Sequence, residues 1–140
     1  MAKRSARTKH NMKIKRERAN SQNKILDELW TRLIKEMAGY RCENCGSKRA
    51  LQAHHIQSRI YYQLRWDFKN GICLCRKCHL YWVKRDFVQY TAWVLANRDF
   101  DHLQIRLATA PNSKKTVDFT MMRLQLESEI ATMKNLRLKR

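Results

Sequence analysis

Two Cys-x-x-Cys pairs, Cys42-Glu43-Asn44-Cys45 and Cys75-Arg76-Lys77-Cys78, constrain this chain more than any other feature. That spacing lets a tight turn aim two thiolates at one ion, and Gly46 behind the first pair relaxes such a turn. Together the pairs predict a structural Zn²⁺ held tetrahedrally by Cys42, Cys45, Cys75 and Cys78. A disulfide framework is not expected. The five cysteines are an odd count, and the basic first 24 residues lack the apolar stretch of a secretory signal. Cys73, the fifth, alternates with Cys75 along a predicted strand and reads as a small buried thiol. A chain of 140 residues buries only about two-thirds of its unfolded surface, so a metal supplies folding free energy that a modest core lacks.

Charge narrows the partner. Thirty Lys and Arg stand against 12 Asp and Glu, a net +18 that resists compaction and favours a polyanion. A membrane span is excluded, because the longest apolar run is only Ala92 to Ala96. The expected location is therefore cytoplasmic. Disorder throughout is also excluded, since 44% of residues are apolar and four Trp, five Tyr and four Phe are present.

Along the chain, residues 1–24 hold nine basic side chains and one acid, Glu17. Residues 1–23 accordingly read as a basic flexible arm that grips phosphate backbone. Residues 24–97 read as the folded domain, opening with a helix whose apolar stripe runs from Ile25, Leu26, Leu29 and Trp30 to Leu33, Ile34, Met37 and Ala38. Ser21 or Asn23 is the candidate start cap, and Gly39 the candidate end cap. Leu51–Ile56 and Ile72–Leu74 read as short strands, separated by a long loop and the Asn70-Gly71 turn signal. One helix is expected from about Lys77 to Ala96, buried through Leu80, Val83, Phe87, Tyr90 and Val94, with Trp82 and Trp93 as further candidates for that side. Residues 98–140 read as a linker carrying Pro111, then a helix over Phe119–Leu138 capped by Asp118. Met122, Leu126, Ile130, Met133 and Leu136 form its apolar face, which must meet either the domain or a second copy in a homodimer.

The histidines add chemistry. His54 and His55 are adjacent on the first strand, Asn70 precedes the second, and His79 follows the last zinc-type cysteine. Neighbouring strand residues point to opposite faces, so one site using both must straddle the strand end or a bulge. With Cys42-x-x-Cys45, Ala53-His54-His55-Ile56, Trp66-Asp67-x-x-Asn70-Gly71-Ile72-Cys73-Leu74-Cys75 and Lys77-Cys78-His79, the segment from about 40 to 85 resembles an HNH endonuclease of the ββα-metal type with a four-cysteine zinc, as found in bacteriophages. The resemblance implies an α+β fold with a small zinc-stapled ββα core, and hydrolysis of DNA phosphodiester bonds. It implies His55 as general base, His54 and His79 as ligands of a catalytic Mg²⁺ or Mn²⁺, and Asn70 as orienting the base or its loop or approaching the metal. The position four beyond His79 is Val83, which cannot coordinate, so waters and phosphate oxygens would complete the shell.

Around this motif, Arg59, Arg65, Lys69, Arg76 and Lys77 are candidate contacts to the DNA backbone. Trp66 reads as core, and no role is assigned to Tyr61, Tyr62, His10 or His102. A zinc module that binds DNA or RNA without cutting would explain the charge and cysteines, but not the histidines with Asn70. An adaptor using the last helix would leave the charge unexplained.

Overall fold

The structure, a computed structural model, describes residues 5–139. Its elements run α1 (Ala6–Met37), β1 (Leu51–His55), a 3-10 turn (Phe68–Asn70), β2 (Gly71–Cys75), α2 (Arg76–Arg85), α3 (Phe87–Asn97), α4 (Phe100–Thr109), a second 3-10 turn (Lys114–Thr116) and α5 (Phe119–Leu138). The fold is α+β: two antiparallel strands carry helices on both faces.

Register explains the layering. Leu51 pairs with Cys75, Ala53 with Cys73, His54 with Ile72, and His55 with Gly71. All five residues of β2 are buried, as expected of a strand covered on both sides. Cys73 joins Leu26, Trp30, Leu33, Ile34, Trp66, Leu126 and Ile130 in one core against α1 and α5. On the other face Ile72 and Leu74 pack with Cys42, Cys75, Cys78, Trp82, Tyr90 and Val94. The sequence reading of Cys73 and Trp66 as core residues agrees with this arrangement, both being buried.

Gly71 sets how closely α1 can approach. A Cβ there would collide with the Ile34 side chain and lie 2.9 Å from Trp30 Cζ2. The missing side chain thus admits α1 directly over the strand end.

The helices depart from expectation in three places. The 1–23 arm is not irregular: α1 extends back to Ala6, capped by the Ser5 hydroxyl and not by Ser21 or Asn23. Met1–Arg4 of the arm lie outside the described residues. Lys, Arg, Met, Ala and Gln are good helix formers, and no Gly or Pro interrupts the chain before Gly39. Residues 6–18 are exposed throughout, so the segment is helical without a buried face. Secondly, the helix expected over Lys77–Ala96 breaks at Asp86 into α2 and α3. Tyr90, Val94 and the candidate Trp82 are buried as expected, while Leu80 and Phe87, expected on the buried side, are exposed. Finally, the stretch read as linker contains α4, capped by Asp99 and anchored by the fully buried Leu103.

The last helix matches its expected bounds, with the Asp118 carboxylate accepting from the Met121 amide. Its apolar face packs on α1 of the same chain through Leu126 and Ile130. Leu136, expected on that face, is exposed. At the far end Arg137 Nε lies 3.1 Å from the buried carboxylate of Glu36 in α1. No helix among the described residues is long and apolar enough to cross a membrane.

Candidate functional site

Cys42, Cys45, Cys75 and Cys78 place their sulfurs within 4.8 Å of one another. The first pair sits in a turn closed by Gly46 N–H donating to Cys42 C=O at 2.8 Å, with Gly46 at φ +76° as its turn requires. The second pair starts α2, where the Cys75 sulfur accepts from the Cys78 amide. Asn44 Nδ2 reaches across to the Cys78 sulfur at 3.3 Å. Glu43, which sequence reasoning left unassigned, ties the first turn to the body: its carboxylate accepts from Cys73 N–H at 2.8 Å and from Arg98 Nη2 at 2.6 Å. Without metal, burial pushes the Cys78 thiol up to about 12, so a cation must displace its proton. Four convergent thiols in a protein-braced cage fit a structural Zn²⁺.

His54 and His55 emerge on opposite faces, as strict strand alternation demands. His54 faces α2 and α3. Its Nε2 lies 2.9 Å from the Tyr90 hydroxyl, and its ring meets His79 edge-on with centroids 5.0 Å apart. Burial, reinforced by the His79 and His55 charges, lowers its pKa to about 4 and keeps the ring neutral. His79 Nδ1 is 2.7 Å from Gln52 Oε1; an amide oxygen only accepts, so Nδ1 carries the proton and Nε2 is the lone-pair nitrogen. Burial also lowers the His79 pKa, with Lys84 adding to it. Among the described residues, the cysteine cage is the sole group of three or more metal-ligating side chains. His54 and His79 thus lie side by side with no third metal-ligating side chain grouped with them among the described residues, and the position one turn beyond His79 is Val83.

His55, at the end of β1, faces α1 instead. Its ring stacks on Trp30 at 3.9 Å and 11°, and its Nε2 is 2.8 Å from the Arg65 carbonyl oxygen. Because that oxygen can only accept, Nε2 bears the hydrogen and Nδ1 keeps its lone pair. Burial lowers the pKa of His55, opposed by the hydrogen bond to Arg65.

Asn70 is fully buried and closes the loop between the strands. Its Oδ1 accepts from Gln57 N–H at 2.7 Å, and its Nδ2 donates to the carbonyls of Gln57 (3.0 Å) and Leu64 (3.1 Å). Both ends of the Asn70 amide are thus bonded within the loop itself.

The basic residues divide. Arg65, a candidate phosphate contact by sequence, has its guanidinium in a bidentate pair with Asp27 at 2.7 and 2.9 Å, and its side chain is only 12% exposed. The cause is an acid on α1 that local sequence near the motif cannot reveal. Lys69 pairs with Asp99 at 2.9 Å on the surface. Arg59, Arg76 and Lys77 are exposed, the last two on the first turn of α2 beside the cysteine cage. His102, unassigned by sequence, bonds Asp67 at 2.6 Å and holds α4 to the loop.

Searches of curated proteins and of solved structures gave no match. Residues 42–81, which contain both cysteine pairs, β1, β2, His54, His55, Asn70 and His79, match the family model described as HNH endonuclease, as the sequence resemblance anticipated.

Proposed function

We propose that this protein is a metal-dependent endonuclease hydrolysing DNA phosphodiester bonds, with His55 as general base. The observation that carries the reading is the Nε2 hydrogen bond from His55 to the Arg65 carbonyl. It leaves Nδ1 as an acceptor for a proton from water, on a ring kept neutral near pH 7 by burial.

His54 and His79 would hold a catalytic divalent cation, Mg²⁺ or Mn²⁺, through ring nitrogens not engaged by Tyr90 and Gln52. Because His55 faces the other side of the sheet, the substrate would have to lie across the end of β1, where His55 sits, to meet both. When bound, such an ion polarises the scissile phosphate and stabilises the departing 3′ oxygen. Asn70 keeps the strand-connecting loop closed, so the Arg65 carbonyl stays within reach of the base. Arg59, Arg76 and Lys77 supply exposed charge for flanking phosphates, and Lys69 can join them by leaving Asp99. The basic first turns of α1, from Arg7 to Arg18, add sequence-independent affinity for the backbone.

The test is supercoiled plasmid with Mg²⁺ or Mn²⁺, beside EDTA and His55→Ala controls. Nicked or linear product that requires the metal and His55 is expected. Undiminished cutting by His55→Ala would remove the base assignment. A second reading, a zinc module that binds nucleic acid without cutting, draws on the exposed basic helix. Intact plasmid with a folded, zinc-loaded, DNA-binding protein would select it.

A further inference from the structure

We propose that Asp27 and Trp30, on α1 and outside the segment that matches the family model, are positioning residues for His55, acting through the turn at Arg65–Asp67. The inference rests on the reading of His55 as base. The Arg65 carbonyl that receives His55 Nε2–H lies in a turn between the strands, where no strand ladder holds it. Three successive residues of that turn are instead anchored to one face of α1. Asp27 takes the Arg65 guanidinium through Nε at 2.9 Å and Nη2 at 2.7 Å. Its Oδ1 also accepts from Trp66 Nε1 at 2.9 Å. Trp30, three residues on and thus on the same helix face, donates from Nε1 to the Asp67 carbonyl at 2.9 Å.

The two residues constrain His55 in complementary directions. The anchored carbonyl sets where the ring's Nε2–H points, and so which nitrogen is left to accept a proton. The Trp30 indole, parallel to the imidazole at 3.9 Å, blocks tilting out of that plane. Gly71 makes the stack possible by admitting α1 to the strand end opposite His55. The bidentate carboxylate–guanidinium pair, together with the anchors at Trp66 and Asp67 just after it, restricts where the Arg65 carbonyl can lie. The matched segment thus supplies the base, and the preceding helix supplies its orientation.

The experiment uses the full zinc-loaded chain and two readouts. Long-range ¹H–¹⁵N spectra report the His55 tautomer without reference to cleavage; the expected state is Nε2–H in the native protein and a mixture in Asp27→Asn. Single-turnover cleavage by Asp27→Asn is expected to fall about tenfold to a hundredfold, as for outer-shell partners of reactive groups, with DNA affinity unchanged. Arg65→Lys, which keeps the charge but loses the fork, tests the same link, and the double variant is expected to be no slower than the worse single one. An Nδ1–H tautomer in the native protein would overturn the proposal without any variant. So would unaltered cleavage by Asp27→Asn, or additive losses in the double variant. If His55→Ala still cuts, the base reading falls, while the tautomer comparison still decides whether α1 orients this ring.

Discussion

At the scale of residues, this protein turns on what occupies each polar atom. His55 is half-buried and its pKa lowered, so the ring loses its lone pair to protonation only at pH below the ordinary histidine value of 6.5. A base working as the neutral ring therefore gives a cleavage rate that is full at pH 7 and declines on the acid side of 6.5. A single-turnover pH profile with its acid midpoint at or above 6.5 would contradict this. Asn70 makes a separate prediction. Asn70→Ala strips partners from Gln57 N–H and from two buried carbonyls, and should cost roughly 1–3 kcal/mol in denaturant unfolding. A change within about 0.5 kcal/mol, as at a surface site, would mean that the loop is held elsewhere. The four-cysteine cluster was legible in sequence because ligands of one ion depend on short spacings, whereas His55 and Asn70 were singled out by the resemblance to a family motif. Arg65 was not: its partner Asp27 is 38 positions away, and an arginine beside a motif looks the same whether it awaits a phosphate or holds a carboxylate.

At the scale of elements, alternation and capping were the readable signals. Both strands and the last helix lie where their patterns placed them, since a five-residue strand and a capped amphipathic helix are specified locally. The missed helix α4 carries a weaker signal, Asp99 before apolar Phe100, Leu103 and Leu107, and Pro111 beyond its end. The break at Asp86 carries the same kind of signal, an Asp before apolar Phe87, but its side chain makes no cap hydrogen bond, and Tyr90 and Val94 of the new helix pack against the sheet. The contact of α1 with β2 gives a sharp test. Gly71→Ala forces a methyl into Ile34 and Trp30, an overpacking expected to cost about 1–3 kcal/mol and to lower the thermal midpoint. An unchanged midpoint would show that α1 can retreat without loss.

At the scale of the whole molecule, a two-stranded sheet between helices is a small core, to which a zinc held by the four cysteines would add folding free energy. Stripping zinc with a chelator, or substituting Cys78→Ser, should unfold residues 42–81 and abolish the cooperative thermal transition; a metal-free chain with native melting would refute the structural role. The exposed half of α1 predicts the reverse pattern. Deleting residues 1–18 should leave melting unchanged, since residues 6–18 are exposed throughout, yet weaken DNA binding and reduce its salt slope by roughly one unit per lost phosphate contact. An unaltered slope would make this helix a bystander. The sequence by itself determined the four-cysteine cage, the two strands, the terminal helix and the order of the histidines and Asn70, because each depends on spacings of a few residues. Only the tertiary structure decided that α5 packs on α1, that His54 and His55 look to opposite sides of the sheet, that Asp27 pairs with Arg65, and that Trp30 stacks on His55. Those are contacts between segments far apart in the chain, set by register and by the room that Gly71 leaves, and no local pattern encodes them.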